Sequence, residues 1–462
     1  MEREVTLAEV LAARELRAAR QQKLLASCGT PLISFSMNIA GPVKDSPLIR
    51  RAFHAGCTAL DAALKHAVLP VLCRRIYRAD TGCEGLWAVD ADALALKRLC
   101  AAIEDGSGLG RLFDMDVLTA AGEKLDRSAV GRPERGCLVC GAPGRGCASR
   151  RLHTVPELRA ATGRIMARHF AAADCAAVSA LVTGALLDEV HTTPKPGLVD
   201  RANTGSHRDM DLSTFRASIR ALESYWVRAV SIGQNTAASA PEETFHLLRI
   251  AGRDAEADMY AATGGVNTHK GAIFTLGALC GSIGRLWRPE APCRDISRIL
   301  DQCAALTADA SKRDLASICT LPPEQLTAGQ RLYLTCGLPG IRGEVAAGLP
   351  GVRDAALPAF EAALAAGCSR NDAGAVALLH LIARGTDTNM LSRGGAALAA
   401  EAAERARALL ERSPLPDTAA IAALDTWFVA RNLSPGGCAD LLAATYFLHD
   451  WSHAPAEDET NA

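Results

Sequence analysis

The sequence predicts a chain in two parts, an α+β first third followed by a long all-helical remainder. Three observations lead there. Extended, partly alternating apolar segments occur at 31–39 and 109–118 and have no counterpart further on. From about residue 155 the texture turns alanine-rich and helix-periodic, nearly free of β-branched runs, as far as residue 455. A length of 462 residues is enough for two or three separate cores. The change of texture puts the boundary near 165–175, giving domains 1–170 and 171–455, with the acidic 456–462 expected to be a disordered tail.

Composition narrows the function classes. The formal net charge is −1 with no long basic run, so wholesale nucleic-acid or membrane-surface binding lacks its electrostatic footprint. No apolar run is expected to reach the length that crosses a bilayer, roughly 18–20 residues. The charged start Met1-Glu2-Arg3-Glu4-Val5 does not read as an export signal. The sixteen cysteines are scattered. Cys57, Cys73, Cys100, Cys175, Cys280 and Cys303 sit among alanines and leucines, where a thiol behaves as a small hydrophobe. A reduced, cytoplasmic protein is expected.

In the first part, helical spacing over 6–27 puts Arg14, Arg17, Arg20, Gln21 and Gln22 on a polar side. A half-buried strand over 31–39 ends at Gly41-Pro42, with Lys44 and Arg50-Arg51 just beyond, where a solvated face is the plainer reading. The segment 109–118 reads as a second strand. Its period of two puts Asp114 and Asp116 on one face while Phe113, Met115 and Val117 enter the core. Neighbouring carboxylates repel, so a pair left ionised calls for a cation such as magnesium; two solvated aspartates at a strand edge are the alternative. Cys137-x-x-Cys140, a Gly/Pro-rich knuckle, Cys147 and His153 match tetrahedral zinc in ligand type, against free thiols as the alternative. Arg135, Arg145, Arg150 and Arg151 surround the cluster and could meet an acidic partner.

Five polar, glycine-marked clusters interrupt the helices of the second part. The richest is Ala262-Thr263-Gly264-Gly265-Val266-Asn267-Thr268-His269-Lys270-Gly271, whose paired glycines and following donors suit a polyphosphate at the start of a helix. Upstream lies Thr193-Pro194-Lys195-Pro196-Gly197-Leu198-Val199-Asp200-Arg201, running on to His207, Asp209 and Asp211. Downstream come Gly340-Ile341-Arg342-Gly343-Glu344, then Asp387-Thr388-Asn389 with Arg393-Gly394-Gly395. The last is Asn432-Leu433-Ser434-Pro435-Gly436-Gly437-Cys438-Ala439-Asp440, where Ser434 as N-cap and Pro435 at the first helical position would open the final helix. Any one cluster is ordinary capping chemistry; five in one helical domain fit better if the helix ends converge on one pocket.

At these residues the second part resembles triphosphoribosyl-dephospho-CoA synthase. The first part resembles apo-citrate lyase phosphoribosyl-dephospho-CoA transferase, through Ser34-Phe35, Gly41-Pro42-x-Lys44, Leu109-Gly110-Arg111-Leu112-x-Asp114-x-Asp116-Val117 and the Cys137 region. The order matches the fused, bifunctional form that makes and installs the citrate lyase prosthetic group. The resemblance implies a nucleotidyltransferase-like α+β fold followed by an all-α, bundle-like domain. It further implies ATP and 3'-dephospho-CoA as substrates, Mg2+ as cofactor and the citrate lyase acyl carrier protein as partner.

On this resemblance Asp209 and Asp211 would hold magnesium in the second part. Lys195, Arg201, His207, His269 and Lys270 would meet phosphates, with Gly264, Gly265, Asn267, Arg342, Asn389, Ser434, Gly436 and Gly437 lining the nucleotide site. Glu344 or Asp387 would be the base. In the first part Asp114 and Asp116 would hold magnesium, with Lys44 and Arg111 stabilising developing charge. Two departures stand out: Glu104-Asp105-Gly106-Ser107-Gly108 lacks an expected histidine, and Cys438 stands where serine is expected. The competing readings are the malonate decarboxylase carrier as acceptor, a magnesium-dependent nucleotide or ADP-ribose hydrolase, and a helical scaffold with a zinc knuckle.

Overall fold

The computed structural model describes residues 3–142, 147, 150, 152–318, 326, 331, 333–335 and 337–454. The tail 456–462, Arg145 and Arg151 lie outside them. Two compact units account for the chain, the first made chiefly of Met1–Ala172 and the second of Ala173–Arg288 with Pro292–Ala454.

The first unit is built on a five-stranded antiparallel sheet. Helix α1 (Leu7–Cys28) leads to β1 (Leu32–Met37), α2 (Pro47–His66), β2 (Val71–Tyr77), β3 (Glu84–Val89), α3 (Ala93–Gly106), β4 (Phe113–Leu118) and the short β5 (Lys124–Leu125). The spatial order β2-β3-β1-β4-β5 puts β1 in the middle. One face is apolar except at Arg74 of β2, which lies opposite Trp87 and pairs with Asp61 of α2 at 3.4 Å. Phe35 from β1 stacks on Phe53 of α2 at 4.9 Å between ring centres and meets Phe113 edge-on at 5.3 Å. Gly56 makes that possible, since a Cβ there would stand 2.4 Å from the Phe35 ring. The other face is divided. Leu32, Leu86 and Ala88 pack against Leu24 and Leu25 of α1, while Ser34, Ser36, Asp114 and Asp116 form its polar part, with Ser36 opposite Asp114 and Ser34 opposite Asp116. The strand expected over 109–118 is shorter than its pattern. Leu109–Leu112 turns as a 3-10 helix held by the Ser107 hydroxyl on the Gly110 N–H, and extended backbone begins at Phe113.

The second unit is helical throughout its described residues. The α-helices among its described residues include α4 (Val155–His191, begun in the first unit), α5 (Leu212–Ala221), α6 (Glu223–Asn235), α7 (Pro241–Ala262), α8 (Lys270–Arg285), α9 (Ile296–Ile318), α10 (Gly340–Ala346), α11 (Leu357–Ala365), α12 (Arg370–Ala383), α13 (Thr388–Arg412), α14 (Thr418–Ala430) and α15 (Gly436–His453). Helix α13 is kinked at Gly395. Helix α8 runs through the middle, touching α6, α7, α9, α10 and α15. Its small residues let backbones approach: a Cβ on Gly284 would come within 2.2 Å of the Val230 carbonyl, and one on Gly233 within 2.2 Å of the Gly281 carbonyl.

Helix α4 corrects one expectation. By length and composition it is apolar enough to cross a bilayer, although 44% of its most apolar window is buried inside the protein. Alanine explains both facts, since it raises hydropathy while packing closely in a helical core. Every cysteine among the described residues is unbridged, and Cys57, Cys100, Cys175, Cys280 and Cys303 are buried.

Candidate active sites

Two helices of the second unit, α8 after His269 and α15 after Pro435, are among those whose N-cap residue makes no side-chain cap. Their first residues, Lys270, Gly271 and Gly436, line one cavity of about 240 Å³ together with Asn389 from the start of α13. Helix starts carry a partial positive charge, so three of them on one wall favour an anion, although Asp387 already takes N–H groups of α13 and α15 and Asn267 takes the Lys270 N–H at 3.3 Å. The glycines have a steric reason: a Cβ on Gly436 would stand 2.5 Å from the Asn389 amide, and one on Gly271 1.9 Å from the Asp440 carboxylate. The loop after α4 closes the cavity with Lys195 and His207, and the end of α4 adds Glu189. Two aspartates fix that loop. Asp425 accepts the Gly197 N–H at 2.8 Å and the Asn203 amide at 2.9 Å, and Asp200 accepts the N–H of Ala202 at 2.6 Å and Asn203 at 2.9 Å.

The charges on this wall are unequal. Lys195 is buried and gives its ammonium to Glu189 at 2.5 Å, so much of its charge is already neutralised. Lys270 is half exposed and pairs with Glu256 at 2.9 Å. Arg393 donates to the Ser206 carbonyl at 2.9 Å and to His207 Nδ1 at 3.3 Å, and no carboxylate among the described residues forms an ion pair with it. His207 then turns its Nε2 to Ser434 Oγ at 2.9 Å, while burial and the nearby guanidinium lower its pKa.

His269 is the most tightly specified group. Thr268 Oγ1 donates to Ser218 Oγ at 2.8 Å, so the Ser218 proton goes to His269 Nδ1, 2.7 Å away. That leaves the proton on Nε2, a buried donor with no partner among the described residues. Burial pushes the His269 pKa down to about 3, so it is a neutral donor and not a cation. Asp440 is the complementary acceptor. Desolvation by the surrounding protein, then repulsion from Glu189, raises its pKa well above the carboxylate range, while the Ala272 N–H at the start of α8 opposes this.

Several residues expected here have other work. Gly264 and Gly265 take positive φ values of 66° and 89° to end α7, and the Gly265 N–H is already held by the Tyr260 carbonyl at 2.8 Å; neither lines the cavity. Ser434 is not a cap, because α15 starts after Pro435 and the hydroxyl faces His207 instead. Asp211 caps α5, its Oδ1 accepting from Ser213, the Thr214 N–H and the Thr214 hydroxyl. Asp209 is exposed, 4.0 Å from His207. Arg201 donates to Thr193 and Asn371 away from the wall. Arg342 pairs with Asp314 and lines a different cavity.

Glu344 and Asp387, the expected bases, are also displaced. They line a separate cavity with Gly437. Asp387 is consumed by the N–H groups of Asn389, Met390 and Cys438 at 2.8–2.9 Å. Glu344 accepts the Gly351 N–H and faces Arg384. Asp387 is thereby committed to the backbone of two helix starts, although burial still raises its pKa.

In the first unit Asp114 and Asp116 share the polar half of the sheet. Lys124 reaches Asp116 at 2.6 Å. Desolvation, then repulsion from Asp116, raises the pKa of Asp114. Gln21 of α1 donates to Ser34 at 2.8 Å, and Arg17 of the same helix pairs with Glu84 at 2.9 Å. Lys44 donates to the Ile39 carbonyl at 2.5 Å, and Arg111 to the Gly136 carbonyl at 2.7 Å. Both cations are tied to backbone, with no recorded bond to the aspartates.

Residues 175–458 match a family model described as ATP:dephospho-CoA triphosphoribosyl transferase, and residues 5–169 match one described as apo-citrate lyase phosphoribosyl-dephospho-CoA transferase. A Haemophilus influenzae protein named CitXG is 34% identical over 456 residues, covering 96% of each chain. The chain belongs to both families. It is a fused, bifunctional transferase. The synthase half alone is similar to a probable 2-(5''-triphosphoribosyl)-3'-dephosphocoenzyme-A synthase of Vibrio cholerae strain M66-2, 43% identical over 59% of this chain and 87% of the relative. It is likewise similar to a protein of the same printed name from Citrobacter koseri, 42% identical over 59% of this chain and 89% of the relative.

Sequence reasoning missed Glu189, Ser218, Arg393 and Asp440 as site residues of the synthase half. Asp440 and Arg393 were within reach, since both lie inside the polar clusters already marked. Ser218 carried no signal, being one serine in an ordinary amphipathic helix. The geometry makes a test available at Gly271. Gly271→Ala puts a methyl where the Asp440 carboxylate stands and should lower adenine release by about a hundredfold through displacement of about an ångström. A folded Gly271→Ala protein with normal turnover would separate Asp440 from the reaction.

Proposed function

We propose that the synthase half joins ATP to 3'-dephospho-CoA with loss of adenine, and that the transferase half then passes the phosphoribosyl-dephospho-CoA group to a serine of the citrate lyase acyl carrier protein, releasing pyrophosphate. The observation that carries the reading is the single cavity where the starts of α8, α13 and α15 meet beside a donor without a partner among the described residues, His269 Nε2, and a desolvated carboxyl, Asp440.

In the first reaction the 2'-hydroxyl of 3'-dephospho-CoA attacks ribose C1 of ATP. The new C–O bond replaces the bond from C1 to adenine, and the hydroxyl proton is in the end balanced by the proton adenine carries away. Asp440 takes that proton as the bond forms, desolvation having made it more basic than an ordinary carboxylate. Glu189, held by the Lys195 ammonium at 2.5 Å, adds to the rise in the Asp440 pKa. The helix starts, Arg393, Lys270 and the His269 Nε2–H hold the triphosphate. Hard oxygen donors on and beside the wall, Glu189 and Asp209, fit a magnesium ion shared with the phosphates, which supplies charge neutralisation when bound.

In the second reaction the carrier serine oxygen bonds to the α-phosphorus as the bond to pyrophosphate breaks. We read the first unit as nucleotidyltransferase-like on the strength of β4. Asp114 and Asp116, with the Ser34 and Ser36 hydroxyls opposite, are a donor set suited to magnesium on the departing pyrophosphate. Both reactions belong to the reducing cytoplasm, where dephospho-CoA and free thiols coexist.

The test is incubation of the full chain with ATP, 3'-dephospho-CoA and magnesium, followed by mass analysis. Free adenine and a triphosphoribosyl adduct should form together, and the adduct should label the citrate lyase carrier but not the malonate decarboxylase carrier. Adenine released at the same rate without dephospho-CoA would make the protein a hydrolase.

A further inference from the structure

The transferase half holds a second constellation that neither reaction uses. Cys137, Cys140, Cys147 and His153 present one donor atom each, all within 4.8 Å of one another. Cys140 Sγ stands 3.4 Å from Cys147 Sγ and 3.3 Å from His153 Nε2. A disulfide would bring two sulfurs to about 2.05 Å. Two thiolates on one zinc ion, each about 2.3 Å from the metal, stand roughly 3.8 Å apart, so the cluster lies close to the tetrahedral spacing. The backbone has the matching shape. Cys137 and Cys140 bracket a tight turn closed by the Gly141 N–H on the Cys137 carbonyl at 3.0 Å, with Gly141 at φ 73°. The Val139 N–H points at Cys137 Sγ from 3.4 Å, a hydrogen bond of the kind that stabilises a metal-bound thiolate.

We infer that these four side chains bind one structural Zn2+ ion, and that the ion positions Arg111 and the start of β4 for the transfer reaction. The link runs through the two residues before Cys137. The Gly136 carbonyl accepts from Arg111 at 2.7 Å. Arg135 donates to the Phe113 carbonyl at 2.7 Å and to Glu104 at 2.8 Å, and Glu104 in turn accepts the Met115 N–H at 2.9 Å. Fixing Cys137 therefore fixes the backbone on both sides of Asp114. His153 ties the far end of the knuckle to α4, whose first turn follows through the Thr154–Glu157 capping pair. Arg111 and Arg135 act here as positioning residues.

Elemental analysis of the purified full chain should return one zinc per chain. Removal with a chelator and reloading with Co2+ should give the visible absorption and thiolate charge-transfer bands of a tetrahedral sulfur-rich site. Cys140→Ser should bind zinc at least tenfold more weakly and lower the kcat of carrier labelling more than its KM, with adenine release unchanged. Because that variant could lose the fold of the first unit, the chelated and zinc-reloaded wild-type chain serves as the second measurement, and labelling should fall and recover with the metal. A chain that purifies without metal and shows no cobalt bands would overturn the site, as would iron in its place. Zinc present, with labelling indifferent to its removal, would overturn the positioning role. The cobalt and zinc readouts do not depend on the proposed substrates.

Discussion

Asp440→Asn should yield a folded protein in which adenine release from ATP is about 10² to 10⁴-fold slower, the range a positioned general base supplies. The amide keeps the shape and can still accept the Ala272 N–H, so binding of the triphosphate should change little and the loss should appear in kcat. The sign of the pH dependence follows from the direction of the shift. Desolvation and Glu189 raise the Asp440 pKa, so in the wild type the base is protonated at low pH and the rate should climb as pH passes a value above the ordinary carboxylate range. In Asp440→Asn that acid limb should vanish from what activity remains. A variant that keeps the limb would move the base elsewhere. Labelling of the carrier from supplied triphosphoribosyl-dephospho-CoA should be untouched, because the transferase half has its own carboxylates.

Asp114→Asn should do the converse. Carrier labelling should fall by about a thousandfold or more, the several kcal/mol expected when a carboxylate ligand to the ion on a leaving pyrophosphate is lost, while adenine release continues at the wild-type rate. Asp116 is already partly neutralised by Lys124 at 2.6 Å, so Asp114 is the stronger probe of the pair. A folded Asp114→Asn protein that loses both activities would refute the division of labour between the two halves.

These two aspartates were not equally legible. Asp114 and Asp116 declared themselves because strand geometry is local: with Phe113, Met115 and Val117 buried, a period of two leaves one face for both carboxylates. Asp440 sits one turn inside α15, and its role exists only because the start of α8 arrives beside it. No spacing within Asn432–Asp440 encodes that meeting. The glycine-marked clusters were expected to gather backbone donors for a phosphate, and the structure gives their glycines different local tasks. Gly436 and Gly271 clear room for Asn389 and Asp440, whereas Gly264 and Gly265 only end a helix.

Glu344 and Asp387 misled for a related reason. A carboxylate beside a glycine turn looks the same in sequence whether it caps a helix or takes a proton, and only the count of backbone donors around it tells the two apart. The same holds for Ser434, where serine before proline is a common capping pattern, yet the hydroxyl goes to His207. The two-part division, the central strands and the helical character of the second half were available from periodicity alone. The family followed from the long polar clusters, because so many specific residue types recur in order.

The close backbone contacts that α8 makes at Gly281 and Gly284 bear on how such an enzyme could diversify. The residues proposed to hold phosphate hang from the leading end of a shaft packed against five neighbours, so that end cannot drift without disturbing everything it touches. New preferences for the nucleoside or the acceptor alcohol would have to be written in the loops around His207 and Arg393. The polyphosphate grip itself should be the slowest part of the molecule to change.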